Sequence, residues 1–228
     1  TGSDTYRSAL RLRELRQAFI AKHDPRAFNT ITLDGETATP EDVRNALTAT
    51  GFFSIKRFVA LDRYSPAGLI PPEKLIELTK PVAAKAEDVI VVVRDLAAER
   101  QPSRGKIKKK GAPAAKKKTA DSLRLPDEKL ESFPALNEAQ AAVWVIKTAR
   151  DMQGSFVPPA AQRLVALCNR DMWRIASELD KLVAHADGQV VTVVDVEAMV
   201  RGEASSDIFA LTDALGLRQN ARVLELLH

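Results

Sequence analysis

The run DVIVVVRD at residues 88–95 sets five consecutive apolar residues between charged ends. A strand apolar on both faces has no side to offer water, so it belongs inside a parallel sheet covered by helices above and below. Two further strands suit that sheet. RFVALD (57–62) is a short apolar run, and FNTITLD (28–34) alternates with Ile31 and Leu33 before closing at Asp34-Gly35. Helical segments lie between and before them. From Tyr6 to Lys22, Leu12, Leu15 and Phe19 recur at helical spacing until Asp24-Pro25. Thr39 suits an N-cap, with Pro40, Glu41 and Asp42 in the first turn and Gly51 as the breaker. PPEKLIELTK (71–80) is a third, proline-initiated helix. Alternating strands and helices imply crossover connections, hence a three-layer α/β domain over residues 1–136 with loops at the strand ends available for binding.

From Asn137 the pattern turns purely helical, with helices expected at 138–152, 158–169, 171–186 and 193–201 and a turn at Asp187-Gly188. This predicts a small helical domain over 137–203, in which Trp144 and Trp173 pack between helices. Another helix is announced by Ser205-Ser206-Asp207, and 204–228 is too short to complete a third domain. Residues 97–122 have no periodicity and are rich in lysine, so they are expected to be a disordered basic insertion. That segment explains the net charge of +4. Arg104, Lys106, Lys108, Lys109, Lys110, Lys116, Lys117 and Lys118 occur without an acid between them, and the rest of the chain holds 26 basic residues against 30 acidic. The segment is either a solvated insertion or a contact for DNA backbone; no aromatics interleave the lysines, so base stacking is not expected there.

Familiar catalytic patterns do not emerge. The glycine-lysine stretch Gly105 to Gly111 follows no strand and lacks a Ser or Thr after a Gly-Lys pair, so it is not a phosphate-binding loop. His23, His185 and His228 are scattered and Cys168 has no partner cysteine, so neither a metal site nor a disulfide framework is expected. The sequence predicts no catalytic residue and no cofactor. It also contains no run of about eighteen apolar residues. With the polar opening TGSDTYRS, this favours a cytoplasmic protein without a secretory signal.

Several stretches, taken in order, resemble the delta subunit of bacterial DNA polymerase III, a clamp-loader subunit. TGSDTY is similar to that family's opening Gly-x-Asp/Glu-x-Phe/Tyr, and LDGE (33–36) to the turn after its second strand. GFFSIKRFVAL (51–61) is similar to its apolar-apolar-Ser-x-Lys-Arg-apolar run. WRIASELDKLVAHADGQVVTVVDVEAMV resembles its helical-domain signature, and IFALTDALG its first collar helix. The resemblance implies an AAA+/RecA-like parallel-sheet domain that lacks nucleotide machinery, then an all-α lid-type domain and the start of a helical collar. Most of the collar is missing and the first strand is expected to be clipped before Thr1. The resemblance implies contact with the sliding clamp (beta subunit) through Phe52 and Phe53, flanked by Ser54, Lys56 and Arg57. Two adjacent aromatics at a helix end cannot both enter one core, so at least one is expected to be exposed. From periodicity alone they equally suit core aromatics closing the sheet, and Lys56 and Arg57 either rim the contact or flank a strand. Asp4 and Tyr6 stand where an active relative binds nucleotide; here they are expected to cap and pack the first helix.

The implied role is an accessory subunit of a DNA-directed DNA polymerase holoenzyme, itself without catalysis. Its expected partners are the clamp, the ATPase and delta prime subunits through the collar, and primed DNA, with no membrane. Two other readings compete. One is a nucleic-acid-binding module centred on the lysine segment, and the other a nucleotide-binding α/β enzyme with an unrecognised phosphate site.

Overall fold

A computed structural model describes residues 2–48, 56–83, 88–95 and 129–200, and the chain divides into two compact units between Ala135 and Leu136. In the first unit, helix α1 (Thr5–His23) leads to strand β1 (Thr30–Asp34), α2 (Pro40–Thr48), β2 (Arg57–Tyr64), α3 (Pro72–Ala83) and β3 (Val89–Asp95). The three strands are parallel, in the order β1-β2-β3, with Thr30 opposite Phe58 and Arg57 opposite Val89.

Period-two alternation sorts β2 between two cores. Phe58 and Ala60 face α1, packing with Leu12 and Phe19 and with Leu15 and Val92 at the margin. Val59 and Leu61 face the other way, against Val43, Ala46 and Leu47 of α2 and Leu75 and Leu78 of α3. Helices therefore cover both faces, which gives the three-layer α/β class expected from the sequence. The apolar run of β3 departs from its expected burial. Val89, Val91 and Val93 are only partly buried and Ile90, on the opposite face, is 43% exposed, because among the described residues β3 pairs with β2 alone.

Local chemistry sets the helix ends. Thr39 and Asp42 cap α2 reciprocally: the Thr39 N–H donates to Asp42 Oδ2 at 2.8 Å, and the Asp42 N–H donates to Thr39 Oγ1 at 3.2 Å. Helix α3 runs past its expected end and includes Pro81, which has no N–H to offer the Glu77 carbonyl one turn back. Strand β1 starts later than FNTITLD suggested, for a reason given below.

The second unit contains α4 (Glu138–Asp151), β4 (Ser155–Phe156), α5 (Pro158–Leu167), α6 (Met172–Ala186), β5 (Val190–Val191) and α7 (Val193–Met199). It is not purely helical, since β4 and β5 form a two-residue parallel pair. Asn137 and Gln140 build a capping box at the start of α4. Fully buried Ala141, Ala149, Ala160 and Ala161 let α4 and α5 approach closely over Val145, Leu164, Ile175 and Leu179. Asp187 adopts φ 45° and Gly188 φ 83°, forming the turn expected after α6. Trp173 departs from its expected packing and is 50% exposed. It lies off the stripe of Met172, Ile175, Ala176, Leu179 and Leu182 that α6 buries.

Candidate functional site

Because the strands are parallel, the first unit has two distinct edges. Ligands of open α/β sheets characteristically bind outside the carboxyl ends of the strands. Here that edge carries Asp34 at the end of β1, Asp62 and Arg63 in β2, and Arg94 and Asp95 in β3. Its charges are largely answered from within. Arg63, held at φ 55°, forms ion pairs with Asp34 and, at 3.4 Å, with Glu36. The turn's backbone N–H and the Arg63 guanidinium together hold the Asp34 carboxyl below its ordinary value. Arg94, 8% exposed, donates to Asp62 and reaches the Thr5 carbonyl at 3.5 Å. Burial raises Asp95, whose Oδ1 has no hydrogen-bond partner, and Tyr64 beside it donates its hydroxyl hydrogen to the Ile70 carbonyl at 3.1 Å. Sequence reasoning passed over these arginine–carboxylate pairs. Their signal was charge placed directly after each apolar run, in VALDR and VVVRD.

The N-terminus of α1 completes this edge. Asp4 caps the helix, accepting from the Arg7 N–H at 2.8 Å and from Arg7 Nε at 2.6 Å. The Asp4 N–H donates to the Phe133 carbonyl at 2.9 Å and Arg7 also reaches the Pro134 carbonyl. Gly2, at φ 135°, passes so close to the Phe133 backbone that a Cβ would collide with it. The Gly-x-Asp opening is thus a clamp on residues 133–135, and Arg11 adds a two-pronged pair with Glu131 at 2.9 and 3.1 Å.

The opposite edge, at the amino ends of the strands, receives the ends of α1 and α2 and the start of β2. Arg57 Nη1 donates to the Leu47 carbonyl at 2.9 Å and the Ala46 carbonyl at 3.4 Å. These are last-turn carbonyls of α2, so Arg57 caps that helix as well as beginning β2. Exposed Lys56 immediately precedes it. The structure thereby brings Lys56 and Arg57 to the end of α2. Phe52, Phe53 and Ser54 lie outside the described residues. So do Arg104, Lys106, Lys108, Lys109, Lys110, Lys116, Lys117, Lys118 and the segment 204–228.

On the same edge, the loop after α1 is organised by Asp24, a buried carboxylate. Asp24 Oδ1 accepts from the Phe28 N–H at 3.1 Å, and Oδ2 accepts from the Asn29 N–H at 2.7 Å and from Thr30 Oγ1 at 3.0 Å. Ala27 adopts φ 55°, and Phe28 is left 66% exposed. Among the described residues no group of three or more His, Cys, Asp or Glu is placed to hold a metal ion, and no helix is long and apolar enough to cross a membrane.

The fold is of a recognisable class, a parallel three-layer α/β domain with a small helical domain after it. A solved structure that shares it is the DNA clamp loader delta protein (YqeN) of Bacillus subtilis, with a TM-score of 0.56 and 17% sequence identity. The similarity covers 99% of this chain and 64% of that one, so this chain spans under two thirds of its length. No family model and no curated protein matches the chain. The resemblance read from the sequence to the delta family therefore has its counterpart in the fold.

Proposed function

We propose that this chain is the clamp-engaging portion of a delta-type clamp-loader subunit. It binds the sliding clamp and opens it through Phe52 and Phe53, and it does not hydrolyse ATP itself. The observation that carries the reading is the correspondence of fold to a clamp loader delta protein over nearly the whole chain. The internally paired charges at the carboxyl edge fit it, because Arg63 and Arg94 occupy carboxylates that a nucleotide-bound cation would need. Arg57 anchors the end of α2 to the start of β2, which supports both ends of the segment containing Phe52 and Phe53. Two phenylalanines entering an apolar pocket contribute roughly 3 to 6 kcal/mol before association costs, enough for an anchor. The remaining loader subunits and primed DNA are further partners under this reading.

The test is binding of the purified chain to its cognate sliding clamp without nucleotide, beside a folded Phe52→Ala, Phe53→Ala double variant. Binding by the wild type that the variant loses supports the proposal. A wild-type chain that ignores the clamp but binds DNA in a salt-sensitive manner, through residues 104–118, would replace it with the nucleic-acid reading.

A further inference from the structure

Between Thr5 and Thr30 the chain carries six Lys or Arg residues against two acids, and both acids are already engaged. Glu14 pairs with Arg11 at 3.2 Å, and Asp24 is buried under the N–H groups of Phe28 and Asn29 and the Thr30 hydroxyl. Arg7 is held by Asp4, and Arg11 also by Glu131. That leaves Arg13, Arg16, Lys22 and Arg26, all exposed and in no ion pair among the described residues. Lys22 is answered in part by the carbonyl end of α1, where a cation is favoured. Arg13 and Arg16 have no such compensation, because three residues apart in mid-helix they are surface neighbours of like charge. Partial desolvation, followed by the positive charges of Lys56 and Lys22, holds His23 below its ordinary value, a sign of the same surplus at the helix end.

The surroundings of these cations narrow the partner. Gln17, Ala18 and Ala21, exposed beside them, are polar or small, so α1 offers no apolar patch of the kind that forms the core of a protein–protein interface. Interfaces with nucleic acid are polar and strongly basic, and guanidinium groups match phosphate geometry. One aromatic adjoins the cations. Phe28, two residues after Arg26, is exposed, and its loop is fixed by Asp24 and by the left-handed backbone of Ala27. Arg13 lies about 15 Å along the helix axis from the end of α1, a distance that a short single strand can follow. Binders of single strands combine basic side chains on the backbone with rings that stack unpaired bases.

We infer that the exposed side of α1 and the loop after it form a binding surface for single-stranded DNA, with Arg13, Arg16, Lys22 and Arg26 against phosphates and Phe28 stacked on a base. These residues are separate in sequence from the lysine-rich stretch 104–118, and the inference does not rest on the clamp-binding reading.

The test measures binding of the full chain to a fluorescent single strand of about 16 nucleotides and to a duplex of equal length, across a salt series and without clamp. The variants are Arg13→Gln with Arg16→Gln, Phe28→Ala, and a chain whose basic residues at 104–118 are replaced by serine. Unfolding transitions check that each keeps its fold, as exposed substitutions should. The arginine pair should weaken single-strand binding and lower the slope of log affinity against log salt by about 1.4, the share of two phosphates. Phe28→Ala should weaken single-strand binding about fivefold or more and leave duplex binding unchanged. Both effects should persist when the basic residues of 104–118 are replaced. A wild type that binds no DNA, or whose binding is abolished by the 104–118 replacement and indifferent to the other variants, would overturn the inference. Equal affinity for single strand and duplex, with no effect of Phe28→Ala, would overturn it in favour of a duplex-backbone contact. An arginine pair that weakens binding to the cognate clamp while DNA is ignored would overturn it in favour of an acidic protein partner.

Discussion

Replacing Asp24 with alanine tests how the loop bearing Phe28 is held. The side chain is 5% exposed and accepts two backbone N–H groups and one hydroxyl. Hydrogen bonds to a charged group contribute about 1.5 to 3 kcal/mol each, and a buried donor left without a partner costs about 1 to 3 kcal/mol. Only the bond to Asn29 is fully buried, so water can recover part of the loss at Phe28 and Thr30. The expected total is therefore about 3 kcal/mol rather than the full sum of three charged bonds. For a unit of this size that lowers the melting temperature by roughly 10 °C. Urea unfolding followed by circular dichroism measures the total, and amide hydrogen exchange at Asn29 reports the local opening. Thr30→Val removes one of the three bonds and should cost about 1 kcal/mol, less once Asp24 is already absent. A loss below about 0.5 kcal/mol in Asp24→Ala, the ordinary scale for surface changes, would refute the view that this carboxylate organises the loop.

Two further outcomes follow from geometry elsewhere. Gly35→Ala would place a Cβ 2.6 Å from Tyr64 Cα and 2.9 Å from the Asp62 carbonyl oxygen, so the first unit should lose about 2 kcal/mol or more in denaturant unfolding. Burial pushes the Cys168 thiol up to about 11 from an ordinary value near 9.0, so the native chain should react with a thiol reagent at pH 8 at least about a hundredfold more slowly than the urea-unfolded chain. The folded state favours the protonated thiol, so its contribution to stability is complete below pH 9 and is lost as pH rises toward 11. Equal reactivity in the two states, or stability flat across that interval, would contradict the burial.

The fold was legible wherever apolar pattern alone decides it. Val59 and Leu61 against Phe58 and Ala60 divide between two cores as a buried strand requires, and the Asn137 and Thr39 caps lie where polar side chains precede apolar periodicity. Long-range polar pairing was less legible. Phe28 and Asn29 read as strand residues, but the Asp24 carboxylate takes their N–H groups and β1 begins only at Thr30. Arg57 read equally as a rim of the clamp contact or as a strand flank, and its hydrogen bonds to the last carbonyls of α2 had no sign in the sequence. Trp173 was judged by its apolar neighbours, whereas its angular position on α6 turns it away from the buried stripe. The candidate site was legible in part, since sequence located the basic residues before β2 but offered no sign that the α1 loop shares their edge.

The pairing of residues 2–4 with 133–135 has a consequence for the order of folding. The Asp4 N–H meets the Phe133 carbonyl at 2.9 Å and the Ala135 N–H meets Ser3 Oγ at 2.9 Å, the latter between residues 132 apart in sequence. Arg11 and Glu131 add a two-pronged pair across a similar separation, 120 residues. Pairing at such separation carries a loop-closure entropy cost that local helix formation does not, so these bonds close after the helices they join.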